Sequence, residues 1–287
     1  MSNKLITVIF LILSYVFISF SQDSSKIISF EPQHLFTLSS GISLYTIRDE
    51  MMSPLLYRGT QVPIAFLYRF RGIKNRHTVL FYYDNTELNS SITETVNEKA
   101  VSHYINNLHL NFEYSFSTRA SVFESLHTTF FLGARLSSIL NLRRQYFVQD
   151  LNQISLEQMT GLGINLLTET VIQEESNNYL RVEVNIPCIS YVLLPGHYNA
   201  KVSENLTFID INPEQNLLWQ IFKRGDFVSF NKLFEIQADV SYIFFSSNHV
   251  AFDLQYRLLY YSFVQYQDLF HARALNNQFL LGLTVKL

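Results

Sequence analysis

Cysteine, glycine, proline and tryptophan are scarce in this sequence. Cysteine occurs once, at Cys188, so no internal disulfide can form. Only nine glycines, six prolines and one tryptophan occur in 287 residues, which excludes collagen-like and Pro/Gly-rich disordered chains. After the N-terminus, no uninterrupted apolar run reaches the ~18 residues that a transmembrane helix needs. The net charge is −3 and there is no basic stripe, so no nucleic-acid partner is expected.

Phenylalanine and tyrosine are abundant instead. The chain contains 25 Phe and 17 Tyr, and aromatic residues make up 15% of it. Residues of this kind favour β-strands over helices. The hydrophobic fraction of 48% fits a soluble enzyme, but it also fits a barrel in which half of each strand is polar. Composition therefore favours an all-β fold, and the length suits one large β domain.

The N-terminus has the organisation of an export signal. A short basic start precedes an apolar stretch at 5–20, which is near the upper length of a signal-peptide core. Ser19 and Ser21 supply small residues at the −3 and −1 positions of a cleavage site. We predict a signal peptide at 1–21 and a barrel domain at 22–287; an uncleaved membrane anchor is the alternative interpretation of the apolar stretch.

The rest of the chain is dominated by period-two alternation of apolar and polar residues. In the clearest internal segment, every second residue from 108 to 116 is apolar and the residues between are His, Asn, Glu and Ser. The C-terminal segment NNQFLLGLTVKL alternates similarly up to Leu287. Such alternation indicates strands with one apolar and one polar face. Ten segments show it: 34–46, 60–71, 76–84, 104–117, 126–140, 157–171, 179–191, 232–245, 249–265 and 276–287.

These segments predict a transmembrane, antiparallel, up-and-down β-barrel of about ten strands. Each is long enough for the ~9–11 residues of a tilted strand crossing, whereas the strands of a soluble sandwich or barrel, the competing fold, average about five or six. Residues 200–211 and 227–231 have some β character, so twelve strands are the alternative. With the C-terminus on the periplasmic side, the long outside links are predicted at 47–59, 85–103, 141–156 and 192–231, and the periplasmic links are short.

In this organisation the chain resembles Gram-negative outer-membrane β-barrel proteins. The most specific element is the C-terminal GLTVKL, in which Gly282, Val285 and Leu287 are similar to the signal read by the barrel-assembly machinery. The chain departs from that pattern because Val285 and Leu287 stand where aromatic residues are usual. The resemblance implies insertion by that machinery, contact with outer-membrane lipid and location in the outer membrane. It implies no single activity.

The polar parity of the strands should point into the lumen. A lumen of ten strands is narrow, and unpaired buried charge is costly. We therefore expect a plugged, salt-bridged interior and a structural or envelope-associated role. The charged residues on this parity that would form the network are Arg69, Arg71, Glu113, Arg135, Arg181, Glu183, Glu235, Asp239, Asp253 and Arg257.

A narrow porin is the alternative function. Its polar pathway would be lined by Arg69, Arg135, Asp239, Asp253 and Arg257. The last strands before the C-terminal one should bring Glu235, Asp239 and Asp253 close together, against Arg257. That arrangement would suit a cation-preferring constriction or a single ion-pair network.

The outside links 85–103 and 192–231 are the expected contact surface for an envelope protein partner. The longer link also carries a helix signal at 212–225, where Asn212 is a good N-cap and Gly225 suits the position after the last turn. The apolar face of this helix would cap its own loop, close the barrel mouth or meet a partner.

No constellation of catalytic residues is recognisable. His197 and Asp210 share the long link, which leaves a membrane-embedded hydrolase as a third alternative. We find no metal-spaced Cys/His set, no phosphate-binding glycine loop and no nucleophile elbow. We therefore predict no enzyme activity, no metal and no cofactor.

Overall fold

The strands of the computed structural model form a closed antiparallel sheet. Residues 32–50, 53–96, 99–120, 127–146, 153–173, 178–193, 225–265 and 270–287 are described. The sheet has twelve strands and closes because the first pairs with the last. They are β1 (Gln33–Asp49), β2 (Ser53–Gln61), β3 (Ile64–Arg71), β4 (Asn75–Val96), β5 (Lys99–Arg119), β6 (Thr128–Tyr146), β7 (Gln153–Gln173), β8 (Asn178–Leu193), β9 (Asp226–Ser229), β10 (Leu233–Phe245), β11 (Val250–Gln265) and β12 (Phe270–Lys286).

Two sequence predictions lie outside this part of the chain. The signal peptide at 1–21 is not within the described residues, and neither is the helix at 212–225 apart from its last residue. Within the ranges given above, no helix is long and apolar enough to cross a membrane.

The twelve strands fill ten positions around the ring. β1 pairs with both β2 and β3, and β8 pairs with both β9 and β10, so each of these two pairs occupies one position. The predicted antiparallel, up-and-down barrel is confirmed. The predicted count of about ten strands matches the ten positions of the ring, and the alternative of twelve matches the number of strand segments. Residues 227–231, which had some β character in the sequence, contain most of the short β9.

The break between β2 and β3 has a local cause. Pro63 has no backbone N–H to donate to a neighbouring strand, so the ladder stops there. Its carbonyl instead accepts a hydrogen bond of 2.7 Å from the Ser40 hydroxyl of β1. Pairing with β1 resumes on both sides of the break without a change of register.

The strand registers fix the stagger of the barrel. Followed from Gln33 through each neighbour in turn, the paired positions return to β1 at Tyr45, twelve residues further along. Such a stagger over ten positions corresponds to strands tilted by roughly 40°. Gln33 and Tyr45 are both buried, so the alternation of inward and outward side chains is preserved around the ring.

An apolar belt surrounds the barrel near the end at which β1 begins and β12 ends. We call this end the terminal end. Outward side chains there are large, apolar and exposed on every position of the ring. Examples are Leu38, Ile42, Phe66, Phe81, Phe112, Leu136, Ile164, Phe234, Leu254, Phe279 and Leu281. A closed ring with all its edges paired and an apolar outer face is the β-structure that can span a bilayer.

An aromatic ladder lines the outer face near the terminal end. His34, Phe70, His77 and Phe116 are register partners on four neighbouring positions, with ring centroids 5.0, 5.7 and 5.0 Å apart. Aromatic rings of this kind are typical of the membrane–water interface. The ladder therefore marks the margin of the belt at the terminal end.

Beyond the belt, toward the opposite or distal end, the strands continue with inverted polarity. On β1, Leu44 faces outward, but from Tyr45 onward the inward residues Tyr45 and Ile47 are apolar and the outward Arg48 is charged. The polar outward residues explain an error in the sequence predictions. The segments 47–59, 85–103 and 141–156 were expected to be loops, yet most of their described residues belong to strands.

The strand extensions also orient the barrel. The links at the distal end are 50–52, 97–98, 147–152, 194–225 and 266–269, and those at the terminal end are 72–74, 120–127, 174–177 and 246–249. The belt adjoins the terminal end, whereas strands project past it distally. Bacterial barrels have short periplasmic turns and larger extracellular parts. This organisation agrees with a periplasmic terminal end.

Candidate functional site: the charged lumen

All ten charged residues predicted to face the lumen do so. Nine of them take part in ion pairs, and Glu235 is held by an uncharged neighbour. The alternation of the strands places them inside because their outward neighbours are apolar. Which charge meets which depends on the stagger of the barrel.

Glu169 is the centre of the cluster nearest the terminal end. Its carboxylate lies 3.2 Å from the Arg71 guanidinium, 2.8 Å from Arg76 and 3.8 Å from Arg181. Two of these arginines also rest on aromatic rings, Arg71 over Tyr179 and Arg76 over Phe131. All of these side chains are buried. One carboxylate therefore organises three guanidinium groups, with aromatic faces adding cation–π attraction.

A closed four-residue circuit fills the middle of the lumen. Arg257 donates to Glu113 at 3.0 Å and to Asp239 at 2.5 Å. Arg135 donates to Asp239 at 3.0 Å and also binds Glu113. The four residues come from β11, β5, β10 and β6. β5 and β11 are five positions apart in a ring of ten, so the Arg257–Glu113 bond joins opposite walls.

Further ion pairs lie around this circuit. Arg69 of β3 donates to Asp253 of β11 at 2.5 Å and to the Ser241 hydroxyl at 3.1 Å. Glu183 accepts from Arg181 at 2.7 Å and lies 3.9 Å from Arg135. Glu183 and Arg181 therefore connect the circuit with the terminal cluster, whereas Arg69 and Asp253 form a separate pair in the same layer.

The acidic cluster expected at Glu235, Asp239 and Asp253 does not form. Asp239 does face Arg257, its register partner on β11, as expected. Asp253 instead reaches across to Arg69, and Glu235 accepts a hydrogen bond of 2.6 Å from Gln237. The strands bring these acids to different heights in the barrel, which sequence spacing alone did not resolve.

The buried cationic side chains are all arginines. Arg69, Arg71, Arg76, Arg135, Arg143, Arg181 and Arg257 are buried in the described parts of the chain, and no lysine is. The planar guanidinium offers five donors in a fixed geometry, so one side chain can bridge several carboxylates. Arg135 and Arg257 each use this geometry to bind two carboxylates, Glu113 and Asp239.

The distal section of the lumen is mainly apolar. A buried cluster there consists of Tyr45, Ile47, Tyr57, Leu88, Ile105, Ile139, Met159, Val192, Val228, Leu233, Leu259, Tyr261, Phe263, Ala272 and Ala274. It encloses an ionic group in which Arg143 binds Glu157 at 2.9 Å, the Tyr261 hydroxyl at 2.9 Å and Asp49 at 3.5 Å. Sequence reasoning missed these three charges, because Arg143 and Asp49 lay in assumed loops and Glu157 at the first residue of a predicted strand.

The space left inside the charged layer is small. A cavity of about 30 Å³ is lined by Arg69, Glu113, Arg135, Arg181, Asp239 and Arg257, among others. That volume accommodates one or two water molecules, which need polar partners of this kind.

A histidine and a carboxylate also meet inside the barrel. Asp84 and His109 are register partners on β4 and β5, and both are buried. His109 contacts the Asn141 side chain at 2.6 Å, and the Gln61 amide lies against Asp84. Asp84 was not predicted as a site residue, since it ends a predicted strand. The pair faces packed protein, so it has no exposed route to a substrate in this arrangement.

Two further kinds of site were considered in the sequence, a hydrolase pair and a metal site. His197 and Asp210, the weak hydrolase pairing, lie outside the described residues. Across the parts of the chain that are described, no group of three or more His, Cys, Asp or Glu side chains is arranged to hold a metal ion.

The C-terminal strand carries the predicted assembly signal on both faces. Gly282 points inward, where an added Cβ would lie 2.6 Å from Thr37 Cγ2 and 3.2 Å from Ser39 Cβ. Val285 and Leu287 point outward and are exposed. The geometry assigns Gly282 a packing role; recognition by the assembly machinery stays a prediction.

Closed ring, apolar belt and polar interior together define the class of protein. The chain is an outer-membrane β-barrel, and the outer membrane is its location.

No family model and no curated sequence matches the chain. Similar solved structures include the outer membrane protease OmpT from Escherichia coli, at 8% identity and a TM-score of 0.46, covering 92% of this chain and 99% of that one. The translocator domain of the autotransporter NalP from Neisseria meningitidis has 6% identity and a TM-score of 0.39, with 97% and 95% covered. The P. putida toluene transporter TodX has 9% identity and a TM-score of 0.32, with 94% and 91% covered. At these scores the similarities assign neither a family nor an activity.

Proposed function

We propose that this protein is a closed outer-membrane barrel with a structural or envelope-contact role, and that it does not conduct solutes. The observation that carries the proposal is the ion-pair circuit of Glu113, Arg135, Asp239 and Arg257 across the lumen. Because Arg257 and Glu113 reach each other from opposite walls, a permeating solute would have to break a buried ion pair. Breaking such pairs costs several kcal/mol.

The distal section supports closure independently. Its interior is filled by aromatic and aliphatic side chains, including Tyr57, Met159 and Phe263. An apolar constriction excludes hydrated ions by dewetting. A solute entering from outside would meet this apolar barrier before it reached the charged layer.

The proposed contact surface lies beyond the belt. Strands β4 and β5 project there as a hairpin that includes most of 85–103, and the link 194–225 leaves the same end. Outward side chains such as Glu87, Asn89 and Asn106 are polar and exposed. A water-facing surface of this kind suits an envelope protein partner better than lipid.

Conductance tests closure most directly. The refolded full-length chain, once a heat-dependent gel shift confirms folding, should give no steady single-channel steps in a planar bilayer. Openings should need the loss of both barriers: Glu113→Ala/Arg257→Ala should stay silent by itself and should produce openings when it is combined with Phe263→Ala in the distal section. Arg144→Gln on the outer face should stay silent like the wild type. Steady, reproducible steps from the wild type would contradict closure and favour the narrow porin.

Site-directed photo-crosslinking in intact envelopes tests the contact surface. A crosslinker at Glu87, beyond the belt, should form discrete protein adducts. The same group at Phe112, which is exposed within the belt, should react with lipid. Equal yields of the same adducts at both positions would refute a specific distal contact.

A further inference from the structure

Three outward arginines form a patch on neighbouring strands beyond the belt. Arg48 of β1 and Arg273 of β12 are direct register partners. Arg58 of β2 pairs with Thr46, so it lies diagonally across from Arg48. All three side chains are exposed. We call Arg48, Arg58 and Arg273 the arginine patch.

Such an arrangement is unfavourable without an anion. Side chains of direct partners in an antiparallel pair have Cβ atoms about 4.5–5.5 Å apart, and like charges at that distance repel. Glu50 compensates only in part: it binds Arg48 at 3.1 Å and accepts a hydrogen bond from the His271 backbone. Within the described residues, Arg58 and Arg273 have no acidic partner. Glu87 of β4 lies diagonally across from Arg58 without an ion pair to it, so the three guanidinium groups still exceed the neighbouring carboxylates.

The patch lies at the height of lipid headgroups. On the outward face of β1, Leu44 is the last exposed apolar residue and Arg48 stands four residues further. Four residues of a strand tilted by about 40° rise roughly 10 Å. Arginine side chains can bend back toward the interface by several more ångströms. Below the patch, Ile42, Leu44 and Phe279 offer an apolar surface for acyl chains.

We infer that the arginine patch binds the phosphate of a phosphorylated lipid headgroup in the leaflet at the distal end. Guanidinium groups bind phosphate bidentately, and two of them side by side match a phosphomonoester. The neighbouring apolar surface distinguishes a lipid from a free anion, since only a lipid uses both. Binding would also remove the repulsion between Arg48 and Arg273.

Lipid retention tests the inference. The full-length protein is refolded in neutral detergent, incubated with phosphatidic acid, which has an exposed phosphomonoester, and analysed by native mass spectrometry. The double variant Arg48→Gln/Arg273→Gln should retain roughly tenfold less phosphatidic acid than the wild type, as expected for loss of a charge-assisted contact. The variant Arg48→Lys/Arg273→Lys should fall between them, because it keeps charge but loses bidentate geometry.

Arg144→Gln is the matched control. Arg144 is also an outward arginine, two residues beyond the exposed Leu142, but it lies over the Tyr146 ring at 4.9 Å rather than beside a second arginine. Its retention should equal that of the wild type. Equal retention by the double glutamine variant, in protein that passes the heat-dependent gel shift, would overturn the inference. Complete displacement of the lipid by equimolar inorganic phosphate would also overturn it, since the site would then be one for a free anion.

Discussion

Within the belt, outward side chains are apolar and the interior is charged, whereas beyond the belt the outward face is polar and the interior is mainly apolar. The same strands pass through both sections without losing their alternation, as β1 does between Leu38 and Ile47. What changes is which face, inward or outward, carries the apolar residues and which carries the polar ones. The medium outside explains the change, because lipid removes the hydrophobic reason to bury apolar groups and water restores it.

Each section is therefore held together differently. The belt section depends on directional ion pairs and hydrogen bonds, which are costly to leave unmade in a buried setting. The distal section depends on apolar burial and close packing, as a soluble protein does. Substitutions that affect one kind of interaction should separate the two sections.

The largest effect is expected for Glu169→Gln. This change leaves Arg71, Arg76 and Arg181 without their shared carboxylate, so three buried guanidinium groups repel one another. We expect the free energy of unfolding to fall by about 3–5 kcal/mol. Urea unfolding in detergent micelles measures it. Glu87→Gln, at an exposed outward position, serves as the control, and an equal midpoint for the two variants would show that the charge network contributes nothing.

Ile139→Ala tests the distal core. Ile139 is 0% exposed in the apolar cluster, so truncation creates a cavity and should lower the free energy of unfolding by about 2–5 kcal/mol. On the same strand, Leu136 faces lipid and is 40% exposed. Leu136→Ala should therefore be much milder. If both variants lost the same stability in the same unfolding assay, the distal interior would not be a packed core.

Gly282→Ala should have an intermediate effect. The new methyl group would meet Thr37 Cγ2 at 2.6 Å, and overpacking of this kind costs about 1–3 kcal/mol. A second change, Thr37→Ser, removes that methyl group and should restore stability. Refolding into pure lipid separates packing from assembly: failure in cells with normal refolding in vitro would assign Gly282 to the predicted assembly signal instead.

Tyr57→Phe should have the smallest effect. The Tyr57 hydroxyl accepts from Gln145 at 2.7 Å and donates to Ser53 at 3.1 Å, beside the mainly apolar distal cluster. Loss of these bonds should cost about 1 kcal/mol. Tyr83→Phe, at an exposed belt position, is the comparison and should leave the thermal unfolding midpoint unchanged. If Tyr57→Phe left the thermal unfolding midpoint unchanged, the two hydrogen bonds of the Tyr57 hydroxyl would not contribute to the stability of the distal section.

The sequence was most informative where lipid imposes one pattern. Between Leu108 and Phe116 the outward face is uniformly apolar, so strand, register parity and the inward position of Glu113 all followed from alternation. The pattern failed beyond Leu44, where outward residues become polar and an apolar residue no longer marks the outer face. Arg143 was assigned to a loop for this reason.

Partner choice within the lumen was beyond the sequence for a different reason. The alternation along each strand predicts that Arg69 and Asp253 both point inward, but it does not predict that they contact each other. Their contact depends on the stagger of twelve residues around the ring, a property of all strands together. Glu235 shows the same limit, since it was grouped with Asp239 although their heights differ. The alternation along one strand determines whether a side chain faces inward or outward. The stagger of the whole ring determines which inward side chains contact each other.

In the described residues, the buried ion pairs of the lumen use arginine as their cation, and this has a consequence for the pH range that the barrel withstands. A guanidinium keeps its proton under any alkaline condition that a cell survives. The cationic partners of the cross-wall ion pairs should therefore keep their charge in alkali. A barrel whose ion pairs used lysine would lose that resistance to alkali, because ammonium groups deprotonate at a lower pH than guanidinium groups.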